Sequence, residues 1–299
     1  MNVVTDLRKI GCSISGVNLL ELSKEDLLEI KRLLYTHKLV ILKDQKMTEQ
    51  QFCDVSGLFG KPVPYLQENY HHPDYPLIFV SSNIEKDGKK IGVARTGGYW
   101  HSDTSFLDDP VVLTVLYPQV IPLNSRRTTL FIDLETALSE MPSELRQRLE
   151  NKIFIHSGKW KYKVRENDVG FDISEILAFI HQAQPPARHP AIIQHPVTGK
   201  HVLYASRGFT LGVEGMTTDE SCTLLGQVFD FIEQERFISE FQWQLGDILV
   251  WDNRVLTHKA GRLAAANDPT LGDVKQEEDT LVYRIIVRDG YPLYAGGAN

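Results

Sequence analysis

Gly246-Asp-Ile-Leu-Val-Trp-Asp-Asn-Arg-Val-Leu-Thr-His-Lys-Ala-Gly-Arg262 is the stretch on which the reading of this chain turns. Its apolar run, Ile248–Trp251, reads as a buried strand. The run enters a polar turn, Asp252-Asn253-Arg254, and His258 follows. Upstream, Gly97-Gly-Tyr-Trp-His-Ser-Asp-Thr-Ser-Phe106 carries His101 two residues before Asp103. On a strand, side chains at i and i+2 point to one face, so this imidazole and carboxylate can take neighbouring corners of a metal's coordination sphere. Alone, the pair is weak. Chance supplies His-x-Asp roughly once in two chains of this composition, and a buried histidine bonded to a nearby acid is its commoner origin.

His258 changes that balance. Two imidazoles and one carboxylate on one face leave three coordination positions open, which suits non-haem Fe(II) holding a co-substrate and O2 together. A zinc hydrolase uses the same donor types but keeps fewer positions open. His258 lies 157 residues after His101, so only a β-core that folds back on itself brings them together.

The surrounding chain fits such a core. Ser23 with Asp26 opens a helix bearing Leu27, Leu28, Ile30, Leu33 and Leu34. Thr48 with Gln51 forms a capping box ahead of Phe52, Val55, Leu58 and Phe59, with Gly60 expected to end that helix. Leu39–Lys43 reads as a buried strand between them. Beyond residue 60 come short apolar runs cut by Pro, Gly and Asn: Leu77–Ser81, Val111–Tyr117, Thr129–Asp133, Ile192–Gln194, His201–Ala205, Asp247–Trp251 and Leu281–Val287. They predict a mainly β sandwich or barrel with flanking helices. Helices are expected at Glu144–Glu150, Ile173–His181 and Asp219–Glu235, the last opened by Thr217 with Glu220. No repeat or linker composition breaks the chain, so residues 1–299 are expected to form a single domain.

Composition removes several functions. The 299 residues carry 32 Lys and Arg against 39 Asp and Glu, a net charge of −7. That sign gives no general reason to bind nucleic acid. Three widely spaced cysteines, Cys12, Cys53 and Cys222, support neither a disulfide framework nor a zinc cage. No apolar stretch is long enough to span a membrane, and the N-terminus does not read as a signal peptide; a cytoplasmic setting is expected. There is no Gly-x-Ser-x-Gly elbow and no Gly-rich phosphate loop. In Leu-Val-Tyr-Arg284-Ile-Ile-Val-Arg288, the two arginines share one strand face. A buried arginine needs an anion, which is either a structural acid or a ligand carboxylate matched to its planar fork.

Taken together, WHSD, WDNRVLTH and YRIIVR, in that order, resemble the TauD/TfdA family of Fe(II)/2-oxoglutarate dioxygenases. The resemblance implies a double-stranded β-helix, or jelly roll, with His101, Asp103 and His258 as iron ligands. It implies Arg284 on the distal carboxylate of 2-oxoglutarate, aided by Thr129, with O2 as the oxidant. Finer segments, YTHKLVILKD, NYHHPDYPLIFVSSN, TLFIDL and HPVTGKHVLY, are similar to the branch that converts N-carboxymethyl 3-amino fatty acids, or shorter relatives, to isonitriles. By that likeness, Tyr70, Arg127 of the Arg126–Arg127 pair, Lys163 and Arg165 face the substrate, with Tyr70 and Lys163 acting in catalysis. Leu66 and Arg262 stand where that branch often carries tyrosine and histidine, so Arg262 joins the substrate set. Arg288 stands where sulfonate-hydroxylating members hold their substrate's anion.

The expected activity is therefore oxidative decarboxylation of an N-carboxymethyl 3-amino acid to an isonitrile. The alternatives are hydroxylation of a small sulfonate or carboxylate and, from another class, a non-catalytic binding protein on the same fold. The expected partner is a small-molecule substrate, with no nucleic acid and no membrane. A homo-oligomer and acyl-carrier or biosynthetic-pathway partners are compatible with this reading.

Overall fold

Strand Ile248–Asp252 lies at the centre of the architecture. In the computed structural model, which describes residues 1–5, 10–86, 89–94, 96–122, 127–164, 166–261 and 278–297, it pairs antiparallel with Leu39–Leu42 on one side and Leu113–Val120 on the other. Every residue of Ile248–Asp252 and Leu39–Leu42 is buried. Continuous apolar runs, rather than alternation, are what strands covered on both faces require. Among the described residues the sheet has eight strands. Its order is Asn2–Thr5, Cys12–Ser15, Leu39–Leu42, Ile248–Asp252, Leu113–Val120, Leu281–Arg288 and Lys61–Val63, with Phe79–Ser82 also pairing on Leu281–Arg288.

A second sheet of three strands, Ile238–Gln242, Thr128–Asp133 and Leu256–Ala260, is antiparallel throughout. The turn Asp252–Val255 carries the chain from the large sheet to the small one. Trp251 on one sheet meets Phe131 on the other with ring centroids 5.5 Å apart, both fully buried. This is the jelly roll expected from the sequence, with helices packed outside it.

Local signals place several of those helices. Ser23 caps Lys24–His37 by accepting from Asp26 N, and both halves of the capping boxes Thr48/Gln51 and Thr217/Glu220 are formed. Lys38 follows the first helix with φ +72° and donates its backbone N–H to Leu34 O, closing the terminus. One expectation fails: the second helix ends at Gly57, not Gly60. Gly60 serves a different need, since a Cβ there would lie 2.1 Å from Arg288 O. Only glycine lets Lys61–Val63 reach its partner strand. Among the described residues, no helix is long and apolar enough to cross a membrane.

Candidate active site

His101 and His258 meet across an isolated antiparallel bridge. Each donates its backbone N–H to the other's carbonyl, at 2.9 and 2.7 Å. Directly opposed residues of an antiparallel pair put their side chains on the same face, and the two rings lie 4.2 Å apart. Two segments distant in sequence thus become cross-strand neighbours. Gly97 continues the pairing by accepting from Ala260 N at 2.8 Å. Its φ of +69° suits glycine, and a Cβ there would press on His101 Cε1 at 3.2 Å.

The chain leaves the bridge immediately after His101, so Asp103 sits in a turn rather than on a strand. Thr104, with φ +56°, makes that turn. A β-branched residue in this region costs on the order of 1–3 kcal/mol. Its hydroxyl holds the conformation by accepting from Val111 N at 2.7 Å and donating to Val111 O at 3.3 Å. Asp103 Oδ1 then lies 3.6 Å from His101 Nε2, and Oδ2 lies 3.9 Å from His258 Nε2.

These three buried donors fit a metal ion. Their ligand atoms all lie within 4.8 Å of one another. His101 Nδ1 is bound to Tyr99 O at 2.8 Å, which directs Nε2 toward the site. Burial lowers the pKa of both imidazoles, favouring the neutral form that ligates. Burial pushes the Asp103 carboxyl up, but Arg284, His258 and His101 outweigh it and hold it at about 2. The donor set is two neutral nitrogens and one carboxylate.

Arg284 donates to Asp103 Oδ1 at 2.8 Å and lies 4.0 Å from the centre of the Phe79 ring. Its Nε is buried with no hydrogen-bond partner among the described residues, a donor that an added anion would satisfy. Two cavities share His101, Gly97, Thr96, Phe79 and Arg284. The first is walled by Tyr65, Tyr70, Tyr99, Phe106 and Phe209, with Lys161 and Lys163 beside them. The second is lined by Arg127, Thr129, Trp243, Trp251 and His258.

Tyr70 is buried in the first cavity, stacked on Phe79 at 4.5 Å. Lys163 lines the same cavity and donates to Ala94 O at 2.5 Å. Thr129 lies in the second, accepting from Trp243 Nε1 at 2.9 Å. The sequence places Arg127 with Tyr70 and Lys163, but in the structure it lines the other cavity. Positions 127 and 129 share a face, so its guanidinium turns into the second cavity, 5.1 Å over Trp243. Arg288 is also apart from both cavities. It shares a strand face with Arg284 but sits about 13 Å along the strand at ~3.3 Å per residue, where it pairs with Asp109 near the surface. Arg165, Arg262 and Arg126 lie outside the described residues.

Several lining residues were not singled out from sequence. Lys161 had a signal, because Lys159, Lys161 and Lys163 alternate in Lys-Trp-Lys-Tyr-Lys. Tyr65, Tyr99, Phe106, Phe209 and Trp243 had none beyond being aromatic. The Asp252-Asn253-Arg254 turn splits. Asp252 and Arg254 enter a buried network in which Arg254 bridges Asp252 and Asp289 at 2.8 and 2.7 Å, and His195 Nε2 donates to Asp252 at 2.9 Å. Asn253 points instead toward Asp103.

A two-histidine, one-carboxylate centre between jelly-roll sheets, flanked by cation-lined cavities, defines a non-haem iron oxygenase. Residues 4–271 match the taurine catabolism dioxygenase TauD, TfdA family, and the chain belongs to that family. It is an α-ketoglutarate-dependent dioxygenase using Fe(II) and 2-oxoglutarate. An alkylsulfatase of Acinetobacter baylyi is 30% identical over 258 residues, covering 84% of this chain and 77% of the relative. The α-ketoglutarate-dependent 2,4-dichlorophenoxyacetate dioxygenase of Cupriavidus pinatubonensis is 26% identical, covering 84% and 89%. The crystal structure of AAD-2 in complex with Mn(II) and N-oxalylglycine shares the fold, with a TM-score of 0.77 at 21% identity over 98% of this chain and 100% of that one.

Proposed function

We propose that the chain hydroxylates a small organic anion, a sulfonate, sulfate ester or carboxylate, whose apolar body lies in the first cavity. The observation carrying this is that one aromatic-walled cavity contains both the His101–Asp103 edge of the metal site and the Lys161 and Lys163 side chains. Aromatic walls suit an apolar body, and ammonium groups suit its anion. The similarity to an alkylsulfatase and to a phenoxyacetate dioxygenase supports the same substrate class.

His101, Asp103 and His258 would hold Fe(II). When bound, the iron with 2-oxoglutarate and O2 supplies the oxidation: one oxygen atom goes into succinate as CO2 leaves, and the other enters a substrate C–H bond. The second cavity is proposed for 2-oxoglutarate, with Arg284, Arg127 and Thr129 around its distal carboxylate. Lys163 and Tyr70 orient the substrate from the first cavity, and the aromatic walls exclude water from the reacting carbon.

The test is to supply Fe(II), 2-oxoglutarate, ascorbate and O2 with a panel of alkyl and aryl sulfonates, sulfate esters and carboxylates. Substrate-stimulated succinate and a product gaining one oxygen, or its cleavage products, are expected. No stimulation by any member of the panel would sink this reading.

A second reading is isonitrile formation from an N-carboxymethyl 3-amino acid. Two lysines and the Tyr70 hydroxyl on one cavity suit a substrate with two carboxylates. The balance requires two turnovers: R–NH–CH2–COOH, two O2 and two 2-oxoglutarate give R–N≡C, two succinate, three CO2 and two water. A tetrazine-trapped isonitrile from such substrates would replace the first reading.

A further inference from the structure

Asn253 carries information that its neighbours make legible. Its Oδ1 faces two groups that can only donate, Asp103 N at 3.2 Å and Trp251 Nε1 at 3.0 Å. Two obligate donors on one side require the amide oxygen there. The Nδ2 group must therefore face Thr114 Oγ1, 2.8 Å away. Nδ2 only donates, so the Thr114 oxygen accepts from it. The threonine's single hydrogen is left for its other neighbour, Asp103 Oδ2, at 2.8 Å. Asn253 Nδ2 has no lone pair to offer, so the threonine hydrogen can go only to the carboxylate oxygen, and the donor inventory determines every direction in this chain of bonds.

The backbone holds the arrangement from three sides. Thr114 is fully buried in the large sheet, opposite Trp251 on one neighbouring strand and Ile286 on the other. Asn253 N donates to Val112 O at 2.8 Å. Asn253 is itself 2% exposed, so no solvent competes for its amide.

We propose that Thr114 and Asn253 are positioning residues for the metal site: Asn253 orients the Thr114 hydroxyl, and that hydroxyl holds one oxygen of Asp103. The inference rests on Asp103 being a metal ligand, not on the identity of the substrate. A hydrogen-bonded carboxylate oxygen sets the rotation of the whole group, and outer partners of this kind typically affect metal affinity by about 10–100-fold.

The test measures Mn(II) affinity by calorimetry without substrate, so it does not depend on turnover. Thr114→Val keeps the shape and removes the hydroxyl, and it should weaken Mn(II) by at least about tenfold. Thr114→Ser keeps the donor and should restore most of that loss. Should the valine variant not fold, Thr114→Ala against Thr114→Ser carries the same comparison. Asn253→Asp replaces the orienting donor with an acceptor and also adds charge. Measured in both the Thr114 and the Thr114→Val backgrounds, the charge effect cancels. The substitution should be several-fold more damaging where the hydroxyl is present. Equal effects in both backgrounds, or wild-type Mn(II) affinity in a folded hydroxyl-free variant, would overturn the proposal. Wild-type affinity in Asp103→Ala would instead overturn the ligand assignment beneath it.

Discussion

Replacing Arg284 with methionine should have two separable effects, because its guanidinium pairs with Asp103 and is proposed to bind 2-oxoglutarate. In the metal-free protein its partner is Asp103, at 2.8 Å, with both side chains largely buried. Removing one member of a buried ion pair costs about 3–5 kcal/mol, since the remaining charge is left without compensation. In a chain of this size, that corresponds to a fall in Tm of roughly 5–10 °C. Methionine keeps much of the packing against Phe79, so the charge dominates the difference. With Mn(II) bound, the cation should compensate Asp103, and the Tm deficit should shrink by at least half. The second effect concerns the proposed 2-oxoglutarate contact. Losing a charge-assisted pair of 3–5 kcal/mol weakens binding by roughly 100- to 4,000-fold. Arg284→Lys should recover only part, because an ammonium lacks the two-pronged geometry. Differential scanning fluorimetry with and without Mn(II), and calorimetry of 2-oxoglutarate on the Mn(II) form, read the two effects. An unchanged metal-free Tm would refute the Asp103 argument, and an unchanged 2-oxoglutarate affinity would remove Arg284 from the co-substrate site.

Further outcomes are expected from other parts of the molecule. Alanine at His101, Asp103 or His258 should abolish turnover and most Mn(II) binding; calorimetry showing near-normal affinity would remove that residue from the centre. Lys163→Ala should impair substrate-dependent succinate formation while leaving substrate-free 2-oxoglutarate decarboxylation within about twofold of wild type, the pattern of lost positioning rather than lost co-substrate binding. Arg254→Met strips the buried Asp252 and Asp289 of their cation and should lower stability by about 3–5 kcal/mol in urea unfolding. In the metal-free protein, the Asp103 pKa is about 2 against an ordinary 3.8, a difference that contributes about 2 kcal/mol. Because the folded pKa is the lower one, that contribution is present above about pH 4 and is lost as pH falls toward 2. Asp103→Asn should correspondingly reduce the pH dependence of stability between pH 5 and pH 2 in acid titration of the metal-free protein.

The chemistry was legible in residue types, because a metal centre needs particular donor atoms and only a few side chains provide them. His101, Asp103 and His258 could be chosen before any fold was known, and local capping patterns placed the helices at Lys24–His37 and Thr218–Ile232. The strand Ile248–Asp252 announced itself by an apolar run that must be covered on both faces. What remained hidden was pairing. Periodicity reports where a side chain points relative to its own backbone, but not which strand lies beside it or in what register. The His101–His258 bridge, the turn that swings Asp103 back, and the arrival of Thr114 against Asn253 are all decided by such non-local pairing. The same limit explains Arg127 and Arg288. Each shares a face with a residue of interest, yet the segments packed against them put Arg127 beside Trp243 and leave Arg288 with Asp109. Sequence thus determined which atoms were available to the site, and tertiary pairing decided which of them meet, because hydrogen-bond register between distant strands is a property of the assembled sheet.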